Sequence, residues 1–69
     1  MNQSMREPVR ILIAEDDSLV AEVLRGLLEG GGFVVEGIAP DGRKAVEMAQ
    51  RLRPDCILLD IRMPYMDGL

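Results

Sequence analysis

One cysteine, one tyrosine, one phenylalanine and no tryptophan occur in 69 residues, and each scarcity closes off a class of protein. A single cysteine makes no internal disulfide, and Cys56 lies in the apolar run 56–59, where a small buried side chain is expected. With so few aromatics, the core has to be assembled from Leu, Ile, Val, Ala and Met. A basic stripe is also missing. The net charge is −4, which argues against attraction to nucleic acid or to an anionic membrane by charge alone. No apolar run approaches the roughly 20 residues that cross a bilayer. The first eight residues contain Arg6 and Glu7 and no apolar stretch. They therefore lack the core of a secretion signal, and a disordered tail over 1–8 is expected, with one domain over 9–69. The expected setting is cytoplasmic and membrane-free.

Apolar material is plentiful. At 48% hydrophobic residues the chain exceeds what a disordered segment carries and should collapse, although a domain of this size is only marginally able to stabilise itself by burial. The run 9–14 is nearly continuous in Val, Ile and Leu, which suits a parallel strand covered on both faces. Asp17 or Ser18 then caps a helix in which Leu19, Val20, Val23, Leu24, Leu27 and Leu28 recur at spacings of three and four, marking one apolar face. Gly30, Gly31 and Gly32 stop that helix. A phosphate-cradling glycine loop follows a strand, whereas this triplet follows a helix and precedes a strand over 33–38. Pro40, Asp41 and Gly42 turn the chain into a second helix over 43–52, patterned by Ala45, Val46, Ala49 and Leu52 and ended by Pro54. A third strand spans 56–60. Strand and helix alternate without repeat, linker or low-complexity segment, which predicts an α/β fold with a parallel sheet and right-handed crossovers.

In such a sheet the carboxyl ends of the strands open onto one edge, where ligand crevices form. Glu15, Asp16 and Asp17 follow the first strand, and Asp60 closes the third. Carboxylates gathered there repel one another unless a cation sits among them, and hard oxygen ligands with room for water suit Mg²⁺ or Mn²⁺. An aspartate beside such a cation can act as a nucleophile toward phosphorus, and Asp60 is the candidate. The backbone carbonyl of Arg62, two residues on, is placed to add an oxygen. Helix capping is the competing explanation for an acid after a strand, and it suffices for Asp17 and Asp67. It does not suffice for Glu15 and Asp16, since three successive acids exceed the needs of one cap. Nor does it suit Asp60, because Pro64 intervenes before any helix.

The segments Ile11-Leu12-Ile13-Ala14-Glu15-Asp16-Asp17 and Leu58-Leu59-Asp60-Ile61-Arg62-Met63-Pro64-Tyr65-Met66-Asp67-Gly68 together resemble the receiver domain of two-component response regulators. The resemblance implies a flavodoxin-like sheet, here β-α-β-α-β with strand order 2-1-3, which makes the ends of strands one and three neighbours. It implies that Glu15, Asp16, Asp60 and the Arg62 carbonyl form the metal site, Glu15 mainly through water, and that Asp60 accepts a phosphoryl group from a sensor histidine kinase. Pro64 and Gly68 would shape the loop after Asp60. Family members continue through two further strands and three helices, which bring a Ser or Thr hydroxyl, a Lys and an aromatic residue. No residue here matches these, so the resemblance covers an N-terminal half, and phosphorylation is expected to be impaired without the charge-stabilising lysine.

The leading expectation is thus a phosphoacceptor module in a phosphorelay, not an enzyme. The alternative is a non-catalytic assembly fragment that self-associates through the apolar third strand as an open sheet edge. A metal-dependent phosphohydrolase is weaker, because Glu15-Asp16-Asp17 lacks the Asp-x-Asp spacing those enzymes share.

Overall fold

The computed structural model describes residues 7–60. Strand β1 (Arg10–Ala14), helix α1 (Ser18–Gly30), strand β2 (Val34–Ala39), helix α2 (Gly42–Leu52) and strand β3 (Cys56–Leu59) follow in that order. The three strands form one parallel sheet in the order β2-β1-β3, the order that the resemblance implies. Because the first crossover steps one way from β1 and the second steps back past it, right-handed connections put α1 and α2 on opposite faces. Strand β1 touches both helices. That explains its sequence: Ile11, Leu12, Ile13 and Ala14 are all buried, with alternate side chains serving the two faces.

One face is built from small residues. Ala14, Ala39 and Ala45 form a buried cluster with Met48 packed against it, which lets the start of α2 come close to the carboxyl edge of the sheet. Gly37 lies beneath Met48, where a Cβ would approach Met48 Cε to 2.6 Å. Strand β2 carries a bulge. Val35 pairs with Ile11 and Gly37 with Leu12, leaving Glu36 as the extra residue, which sharpens the local twist.

Each helix begins on an aspartate. Asp17 accepts from the N–H groups of Leu19 and Val20, and Asp41 from that of Lys44, satisfying donors that a helix start otherwise leaves open. Helix α1 stops at the predicted glycines, with Gly32 at φ +95°, a left-handed geometry that glycine adopts without penalty. Helix α2 ends before Pro54 with Arg53 at φ 53°. There the Arg10 guanidinium donates to the carbonyls of Leu52 and Arg53 and faces Glu36 and Asp55. It thereby ties the end of α2 to β1 and to the approach of β3.

Several expectations are corrected. Phe33 stands outside β2 because its N–H donates to Leu28 O at the end of α1, while Ala39 joins the strand because its carbonyl accepts from Glu15 N–H. Gly42 joins α2 because Asp41 is the cap. The six-residue apolar face of α1 divides: Ala21 is buried and Val20, Leu24 and Leu28 are half-buried, whereas Leu19, Val23 and Leu27 are exposed at 73%, 56% and 69%. A three-stranded sheet covers only one flank of so wide a stripe. Val46 on α2 is likewise exposed, and Met48 takes the inward place. Cys56 is exposed rather than buried, because among the described residues β3 is an edge strand paired with β1 alone. The whole of β3 shares that exposure. No helix among the described residues is long and apolar enough to cross a membrane.

Candidate acidic site at the carboxyl edge of the sheet

The three strands end in register. Ala14 of β1 pairs with Ala39 of β2 and with Leu59 of β3, so the residues that follow emerge side by side. The ladder extends one step past the strands on both flanks of β1. Glu15 N–H donates to Ala39 O at 2.9 Å, and Asp60 N–H donates to Ala14 O at 3.1 Å. Two backbone hydrogen bonds therefore fix the main chain beneath two acids that lie 45 positions apart in sequence, and Asp16 follows Glu15 directly.

The consequence is a convergence of carboxylates. Glu15, Asp16 and Asp60 each bring an oxygen within 4.8 Å of the others. Their surroundings differ: Glu15 is buried at 3% exposure, Asp60 is half-buried and Asp16 is exposed. Glu15 Oε2 accepts the N–H of Asp17 at 3.1 Å, and this bond pulls the Glu15 pKa downward. Burial and the neighbouring Asp60 and Asp16 carboxyls together outweigh it, and the Glu15 pKa is raised above its ordinary value. Beside these acids lies a cleft of about 230 Å³ lined by Ala14, Glu15, Leu24, Leu58, Leu59 and Asp60. That is below the size of pockets that enclose organic ligands.

Three carboxylates with oxygens this close are a fitting donor set for a small hard cation, which would relieve the mutual repulsion raising Glu15. Of the residues singled out from sequence, the structure thus brings together Glu15, Asp16 and Asp60. Asp17 is a helix cap, as expected. Arg62, whose carbonyl was to complete the set, lies outside the described residues, as do Pro64, Asp67 and Gly68. Sequence reasoning missed two contributors: the Ala39 carbonyl, which positions Glu15, and the Asp17 N–H, which holds its carboxylate. Neither leaves a signal in side-chain type, because both act through backbone atoms.

Residues 11–69 match the family pattern described as the response regulator receiver domain. Among curated proteins, the chain is 48% identical over 62 residues to response regulator MprA of Mycolicibacterium vanbaalenii, covering 90% of this chain and 26% of that protein. It is 42% identical over 62 residues to transcriptional regulatory protein PdtaR of Mycobacterium tuberculosis, covering 90% and 30%. It is also 47% identical over 64 residues to protein-glutamate methylesterase/protein-glutamine glutaminase 4 of Myxococcus xanthus, covering 91% and 18%. The chain spans less than a third of the length of each of these relatives, and the segment they share with it is common to proteins named for different activities.

Proposed function

This chain belongs to the response regulator receiver domain family, and from that premise we propose that it is a phosphoacceptor module in which Asp60 takes a phosphoryl group from the phosphohistidine of a sensor histidine kinase. The observation that carries the reading is the convergence of Glu15, Asp16 and Asp60 at the registered strand ends. Among the three, Asp60 suits nucleophilic attack. Glu15 is buried and has an oxygen engaged by Asp17 N–H, whereas Asp60 lines the cleft from a fixed backbone position.

In the transfer, an Asp60 carboxylate oxygen attacks phosphorus, the new O–P bond forms as the P–N bond breaks, and the imidazole nitrogen leaves with the bonding pair. Glu15, Asp16 and Asp60, joined by the Arg62 carbonyl, are the groups that would hold Mg²⁺ or Mn²⁺. Bound there, the cation supplies charge neutralisation for the transferring group. The Ala39 and Ala14 carbonyls hold the backbones of Glu15 and Asp60 in place. The role is stoichiometric, one acyl phosphate per chain.

Incubation with a small phosphoramidate, whose P–N bond mimics phosphohistidine, tests this by intact mass. The expected result is one phosphoryl adduct that requires Mg²⁺ and is abolished by Asp60→Asn; an adduct undiminished in Asp60→Asn contradicts it.

A second reading, assembly through β3, is favoured by the exposure of Ile57, Leu58 and Leu59 at 44%, 39% and 40%. Sedimentation velocity separates it from a monomeric module: a concentration-dependent dimer that Leu58→Lys dissolves supports assembly, and a monodisperse monomer at high concentration removes it.

A further inference from the structure

We propose that Asp17 is a positioning residue for the acidic site, and that the N-cap of α1 and the orientation of the buried Glu15 carboxylate are one structure. The inference rests on the divalent-cation reading of that site and adds to it a residue outside the ligand set.

Asp17 works in two directions at once. Its Oδ1 accepts from Leu19 N–H at 2.9 Å and Val20 N–H at 3.2 Å, and its carbonyl accepts from Ala21 N–H at 2.9 Å. These bonds lock its backbone in the extended conformation of a cap, at φ −93° and ψ 112°. In that conformation its own N–H points back to Glu15 Oε2. Glu15 is thus held at both ends, its main chain by Ala39 O and its carboxylate by Asp17 N–H. Without the capping carboxylate, the Ala21 bond to the residue 17 carbonyl is the one bond of this set that remains, and the N–H directed at the buried Glu15 carboxylate is held less firmly.

Helix α2 supplies an internal control. Asp41 also follows a strand at the same edge and caps its helix through Lys44 N–H at 2.8 Å. It is not a member of the carboxylate cluster, and no hydrogen bond joins it to Glu15 among those described. Loss of either cap weakens a helix start in the same way, but only the loss of Asp17 disturbs Glu15.

The experiment is titration of the 69-residue chain with Mn²⁺, with the free ion counted by electron paramagnetic resonance and helicity followed by circular dichroism. Asp17→Ala should raise the Mn²⁺ dissociation constant about tenfold, the lower end of what loss of an outer hydrogen-bond partner does to metal sites. Asp41→Ala should leave it nearly unchanged at a matched loss of melting temperature. Asp17→Ser and Asp17→Asn keep a capping oxygen and should restore affinity. Equal affinity losses for Asp17→Ala and Asp41→Ala overturn the proposal, since the cap would then act only through overall stability. Affinity as weak in Asp17→Ser and Asp17→Asn as in Asp17→Ala also overturns it, by assigning the effect to charge. Failure of the unsubstituted chain to bind Mn²⁺ removes the cation reading itself, and the proposal with it.

Discussion

Glu15 is the one charged residue buried among those described, and its raised pKa gives its burial a sign. A carboxyl whose folded-state pKa lies above its unfolded value contributes stability that is fully present below the ordinary glutamate range. That contribution is lost as pH rises through the raised folded value. Above that raised value, and without a divalent cation, ionised Glu15 therefore weighs against the fold. Glu15→Gln keeps an oxygen for Asp17 N–H and removes the charge. We expect it to raise the melting temperature in EDTA at neutral pH and to blunt any further rise on adding Mg²⁺. A lower melting temperature in EDTA would contradict this. The acids were legible in the sequence because each stands where an apolar run stops, so type and position carried the signal. Cys56 was not, because burial in a strand depends on what flanks it in the sheet, and β3 has a described neighbour on one side only.

At the scale of elements, the caps and ties set the margins. Asp41→Ala should cost about 1 kcal/mol through loss of the α2 cap, read as a shifted midpoint in urea at unchanged slope. Arg10→Met keeps an apolar stem but removes the donors to Leu52 and Arg53 carbonyls. Since the side chain is about a third exposed, its ion pairs with Glu36 and Asp55 add little, and the expected loss is about 1 kcal/mol from the hydrogen bonds. A salt-dependent loss much larger than this would show that the ion pairs dominate. All five elements were legible, with boundaries displaced where a backbone group had a second partner, as at Phe33 and Ala39. Helix faces were legible only in outline. Periodicity marks an apolar stripe, but whether Leu19, Val23 and Leu27 are covered is decided by the width of the sheet beneath. On α2, the long side chain of Met48 reaches the alanine cluster while Val46 does not.

For the molecule as a whole, β1 is the spine. Leu12 is fully buried at the centre of the sheet, and Leu12→Ala should cost roughly 2–5 kcal/mol. That is comparable to the entire stability of a small domain at about 0.05–0.15 kcal/mol per residue, so this variant should lose its cooperative transition by circular dichroism. A cooperative melt near that of the unsubstituted chain would mean that the sheet is not the stabilising unit. Alternation of strand and helix dictated a parallel sheet, but the order β2-β1-β3, which makes neighbours of Glu15 and Asp60, followed from family resemblance rather than from periodicity.

The most direct measurement is thermal unfolding of the 69-residue chain in EDTA and in excess Mg²⁺, alongside Asp60→Asn. If Glu15, Asp16 and Asp60 form a built cation site, Mg²⁺ at a hundredfold excess over its dissociation constant adds about 2.7 kcal/mol. That moves the midpoint by roughly 10–20 °C for a domain of this size, with a smaller shift in Asp60→Asn. A cooperative melt with the same midpoint in EDTA and in Mg²⁺ would contradict a cation-assisted phosphoacceptor site at this edge of the sheet.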